Sequence, residues 1–113
     1  MKERTIDRDK AVAGWIAARD ANMRSIVASQ CYTNKQKIRC CAIQSALASC
    51  YNTEEVYLTY RKKFAAIKVV PVRKEDINVA DVADIEASWA TNTEFSVDKV
   101  LTPQGIIYRV KFN

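Results

Sequence analysis

The run EFSVDKVLTPQGIIYRVKF, Glu94 to Phe112, most constrains what this chain can fold into. Ile106, Tyr108, Val110 and Phe112 alternate with Ile107, Arg109 and Lys111, which is the period of a strand with one buried face. Between the two halves, Thr102-Pro103-Gln104-Gly105 puts Pro at the second turn position and Gly at the fourth. The expected element is an antiparallel hairpin of 94–101 and 106–112. A half-buried hairpin is not stable alone in water, so a second layer must cover its apolar side.

The preceding residues carry helical spacing that can supply this layer. From Asp7 to Gln30, Val12, Trp15, Ile16, Met23, Ile26 and Val27 fall within about a third of a helix circumference. Arg19 lies inside that stripe, where a charge must snorkel outward or meet a partner. Thr33-Asn34-Lys35-Gln36 has the T-x-x-Q form of a capping box, so a second helix is expected over 34–51. Its buried face is Cys40, Ile43, Ala46, Leu47 and Cys50, and Asn52 suits a left-handed helix end.

Thr53 followed by Glu54 and Glu55 reads as the start of a third helix over 54–67. Val56, Tyr57, Tyr60, Phe64 and Ile67 then gather within about 100° of arc and form its expected core face. Lys68-Val69-Val70-Pro71-Val72 is β-branched but contains a proline, so it is expected as a short edge strand or extended connector. Val79, Val82, Ala83, Ile85 and Trp89 define a fourth, shorter helix over Asn78 to Ala90. Glu86 interrupts its stripe as Arg19 interrupts the first, and a pair between the two would satisfy both charges.

The expected fold class is α+β: N-terminal helices packed on a small antiparallel sheet that ends in a hairpin. At 113 residues the chain fits one compact domain over 1–113. Only two Gly and two Pro, with 49% hydrophobic residues, argue against disorder. The N-terminus MKERTIDRDK lacks the apolar stretch of a secretory signal, and no apolar run is long enough for a membrane span. A cytoplasmic location without membrane contact is expected, with the four cysteines reduced and packed in the core. Cys40 and Cys50 are ten positions apart on one helix, about 15 Å, which is too far for a bridge.

Much chemistry is excluded by composition. The chain has no histidine, which removes the commonest general base and the usual nitrogen ligand of zinc. Glycine occurs only at 14 and 105, so a phosphate-cradling glycine loop is impossible. The cysteine spacing does not match a structural zinc site, and Asp76, Asp81, Asp84 and Glu86 lack the pattern of a calcium loop. The expectation is a non-enzyme without cofactor or metal.

Charge is the remaining functional signal. Residues 1–75 hold 15 Lys and Arg against 7 Asp and Glu, a balance of +8, whereas residues 76–113 hold 3 against 6, a balance of −3. Such polarity fits an anionic partner, and it also serves solubility. The candidate contact residues are Lys35, Lys37, Arg61, Lys62, Arg73, Lys74, Arg109 and Lys111, with Tyr32 and Tyr51 as aromatic anchors at the ends of the second helix.

Two functions are consistent with this set. The favoured one is a small regulatory protein, such as an inhibitor or accessory factor of the kind phages and mobile elements encode, that docks on a macromolecular partner, chiefly protein. The other is a nucleic-acid-binding protein. Adjacent helices over 34–51 and 54–67 followed by a hairpin resemble, in helix order alone, winged-helix DNA-binding domains. No residue role is carried over from that resemblance, and oligomeric state is left open.

Overall fold

A computed structural model describes residue 16, residues 18–71 and residues 73–113. Among the described residues three α-helices precede or interrupt a four-stranded antiparallel sheet. Helix α1 covers 18–29 among the described residues, α2 is Asn34–Tyr51 and α3 is Val79–Ala90. The strands are β1 Val56–Tyr60, β2 Ala65–Val69, β3 Phe95–Thr102 and β4 Gly105–Phe112, in the order β1-β2-β4-β3. The fold is α+β and the C-terminal hairpin is present, with Thr102 facing Gly105 across its turn.

Helix α2 starts as the capping box requires. The Gln36 amide donates to Thr33 Oγ1, and the Thr33 amide donates to Gln36 Oε1. Asn52 ends the helix at φ 50°, ψ 51°, in the left-handed region that Asn tolerates. Cys40, Ile43, Leu47, Cys50 and Tyr51 form its buried face. Helix α3 is capped by Asn78, whose side chain accepts from the Asp81 amide. Val82 and Trp89 are buried on it, while Val79 and Ala83, expected beside them, are exposed.

The expected third helix does not form. Residues 54–67 instead supply β1 and most of β2, joined by a tight connection over 61–64 in which the Arg61 amide donates to the Phe64 carbonyl. VYLTY is β-branched and aromatic, and Val56, Leu58 and Tyr60 alternate toward the helices as Ala65, Ile67 and Val69 do on the next strand. Thr53 caps no helix. Its hydroxyl accepts from the Glu55 amide and donates to the Val70 carbonyl, which turns the chain into β1. The 68–72 connector is also corrected, because Lys68 and Val69 close β2, a central strand, and Pro71 falls after its last ladder position.

One face of the sheet meets α2 and α3. Register places Val56, Leu58, Tyr60, Ala65, Ile67, Val69, Phe95, Val97, Ile106, Tyr108, Val110 and Phe112 on that face, and all belong to the core or pack against it. Cys40 and Cys50 join the core, but Cys31 and Cys41 are exposed, contrary to expectation. Burial, then the neighbouring Cys41, pushes the Cys40 thiol up to about 11, so it stays protonated and unreactive at neutral pH.

Helix α1 is attached differently from the expected amphipathic packing. Ile16, Met23, Ile26 and Val27 remain exposed, and Ala28 is buried instead. Ser25 anchors the helix to the sheet edge by accepting the Tyr60 amide, and Tyr32 donates its hydroxyl to the Arg61 carbonyl. Small residues therefore make the buried contact, while Met23 and Val27 stay exposed along a groove that they line with Tyr60, Arg61 and Lys62. Val12 and Trp15 lie outside the described residues.

Candidate functional site

Two places hold clusters of polar chemistry. The first is internal, at the α2–α3–sheet junction. Tyr51 and Tyr108 hydroxyls are 2.6 Å apart, Tyr108 donates to Glu86 Oε1 at 2.7 Å, and Lys99 Nζ donates to the same oxygen at 2.8 Å. A carboxylate only accepts, so the Tyr108 proton points to Glu86 and the Tyr51 hydroxyl must donate to Tyr108. Trp89 meets the Tyr108 ring edge-on at 5.8 Å. Glu86 thus pairs with Lys99 and Tyr108, and the expected pair with Arg19, which is exposed, does not form.

Burial and the hydrogen bonds of Tyr51 and Glu86 hold the Tyr108 phenol far above its ordinary range, so it does not ionise. For Glu86, burial raises the carboxyl, but hydrogen bonds from Lys99 and Tyr108 and the Lys99 charge outweigh it and leave the value lowered from 4.5. The unfolded chain therefore takes up the proton first as pH falls. The stability Glu86 contributes is present above about pH 4.5 and is lost as pH drops through the lower folded value. Glu86→Gln is expected to flatten the acid limb of a thermal-melt series, and a limb identical to the parent's would rule out this carboxylate as its source. Tyr108→Phe removes the link and leaves the Tyr51 donor buried without its acceptor, a loss of roughly 1–3 kcal/mol in urea unfolding. Tyr51, expected as an exposed anchor, is 3% exposed and belongs to this network.

The second cluster is the face of the sheet opposite α2 and α3, and ladder register lays it out as a grid. Tyr57, Lys68, Ile107 and Val100 form one row across β1, β2, β4 and β3. Thr59, Ala66, Arg109 and Asp98 form the next. Continuing the alternation, Arg61 and Phe64 flank the β1–β2 connection beside Lys111 and Ser96. With strands about 4.8 Å apart and like-facing residues about 6.8 Å apart, this surface measures roughly 15 by 14 Å.

Its side chains are apolar in the middle and cationic around it. Arg61, Phe64, Ala66, Val100, Ile107 and Arg109 line a shallow groove of about 330 Å³. The Arg109 guanidinium sits 5.7 Å from the centre of the Phe64 ring, a cation–π contact that holds both side chains in place on the face. Tyr57 is 54% exposed. The ion pairs among the described residues are Arg39–Glu94 and Lys99–Glu86, so Arg61, Lys68, Arg109 and Lys111 spend no charge on a carboxylate there. Helices α2 and α3 pack on the other face, while α1 borders this one at the β1 end, where Met23, Arg24 and Val27 line a groove with Arg61 and Lys62.

The candidate contacts read from sequence therefore divide. Arg61, Arg109 and Lys111 converge on the open sheet face, with Lys62 exposed at the connection tip beside them. Lys35 and Lys37 stand on α2, in the helical layer on the other side of the sheet. Arg73 and Lys74 precede α3, and Lys74 lines a groove with the Thr102–Gly105 turn at the opposite end of the sheet. Tyr32 is half-buried against Tyr60 and Phe112. The expected helix pair over 34–51 and 54–67 does not form, since the segment after α2 is the β1–β2 hairpin.

Sequence reasoning assigned Phe64 and Tyr57 to the core and left Lys68 on a connector. Period-two alternation in VYLTY and AAIKV was the signal that places Tyr57 and Lys68 on the open face, and Phe64 continues the alternation one position before β2. Among the described residues no group of three His, Cys, Asp or Glu is placed to hold a metal ion, and no described helix is long and apolar enough to cross a membrane. Comparison with protein-family models, curated proteins and solved structures finds no match.

Proposed function

We propose that this chain is a non-catalytic regulatory or accessory protein of the cytoplasm that docks on an anionic macromolecular partner through the open face of its sheet. The observation that carries the reading is the convergence of Arg61, Lys68, Arg109 and Lys111 around Phe64, Ile107 and Val100, with Asp98 the one carboxylate among the ladder positions of this face. Clustered cations on one surface raise the local concentration of an anionic partner, and the apolar centre supplies area that a bare charge patch lacks. Outside this face, Lys35 and Lys37 stand on α2, and Lys74 is the one cation of a groove lined by Val70, Pro71, Ile77 and Ile106, so neither place gathers four cations about an apolar centre. The absence of histidine and of a glycine loop in the sequence favours docking over catalysis.

Retention on a heparin column tests the face. The double variant Lys68→Ala, Arg109→Ala is expected to elute at clearly lower salt than Lys35→Ala, Lys37→Ala, although both remove two charges. Equal shifts would show that net charge alone governs retention and would remove the sheet face as the docking site.

A further inference from the structure

Resting on that reading, we infer that the anionic partner is a single-stranded nucleic acid, laid across the sheet with bases on Phe64 and Tyr57 and phosphates on Arg61, Lys68, Arg109 and Lys111. A single strand presents alternating planar apolar rings and charges, and platforms for it combine a basic track with aromatic side chains. The open face has both components in one plane. Tyr57 lies on β1 and Phe64 one position before β2, two like-facing positions apart, which strand geometry puts at roughly 14 Å. Arg109 stands in the row between them, Lys68 is level with Tyr57, and Arg61 and Lys111 flank Phe64.

The alternatives fit the face less well. An acidic peptide needs the cations but makes no use of Tyr57 or of the Phe64–Arg109 stack among them. A duplex hides its bases and is read by an element that enters a groove, whereas this surface is a sheet face with its hairpin turns at the ends. The Arg109 guanidinium, already seated against Phe64, adds a planar cation on which a base can stack while its charge faces the backbone.

The test is fluorescence anisotropy of labelled ten-nucleotide oligo-dT and oligo-U, a matched DNA duplex and polyglutamate, each over a salt series. Single strands are expected to bind tightest, with a log–log salt slope of about −3 for four phosphate contacts. Phe64→Leu keeps bulk but removes the ring and is expected to weaken single-strand binding roughly 5- to 100-fold while leaving polyglutamate binding unchanged. Tyr57→Leu, at a more exposed site, gives the same readout should Phe64→Leu fail to fold. Equal affinity for duplex or polyglutamate, or binding indifferent to both ring substitutions, would overturn the single-strand inference while leaving an anionic docking face. Absence of binding to every polyanion would overturn both.

Discussion

Gly105→Ala is expected to lower the unfolding free energy by about 3 kcal/mol, read as a shift in the urea midpoint. Gly105 opens β4 at φ 150°, a backbone conformation that side-chain-bearing residues rarely adopt. A Cβ there would lie 2.5 Å from the Val69 carbonyl oxygen, and that atom is backbone in β2, so it cannot swing away like a side-chain tip. Relief requires β4 to separate from β2 where Val69 faces Ile106, which opens the core next to the hairpin turn. Gln104→Ala, one position earlier and exposed, is the control and should change stability little. A Gly105→Ala protein as stable as the parent would show that the close approach of β4 to β2 is wrong.

Leu47→Ala is expected to cost roughly 2–5 kcal/mol, because Leu47 is 0% exposed and truncation leaves a cavity where α2 meets the sheet. The neighbouring core includes Ile67 and Val69 on β2 and Tyr108 on β4, strands held in a hydrogen-bonded ladder that cannot collapse freely into the space. Phe64→Ala is the informative comparison. A helix over 54–67 would bury Phe64 in the same core and make the two losses similar. In the observed fold Phe64 is half-buried on the other side of the sheet, so its truncation should destabilise less than Leu47→Ala and act mainly on binding. Equal losses in urea unfolding would argue that Phe64 is a core residue and that the open face is misassigned.

The local signals that held were those with two coincident parts. Thr33 with Gln36 opens α2 and Asn52 closes it because each side chain satisfies a backbone group that the helix end leaves unpaired. The C-terminal hairpin was legible from alternation combined with a Pro and Gly turn. In contrast, Thr53-Glu54-Glu55 matches a helix start and a turn into a strand equally well, since the same hydroxyl-to-amide bond serves both. The 61–64 connection, RKKF, has no Gly or Asn to mark a hairpin, so nothing local stopped a helical reading.

The α+β class, the span of α2 and the terminal hairpin are legible along the chain, because each follows from residues that are neighbours in it. The pairing of β2 with β4 joins segments far apart in the chain, and this one long-range ladder brings Lys68 beside Ile107 and Ala66 beside Arg109. Tertiary packing likewise brings Glu86 to Lys99 and Tyr108, and turns Phe64 outward under Arg109. A strand exposes opposite faces at successive residues, so a segment's periodicity decides which side chains can share a surface, and pairing across the sheet decides which of them do.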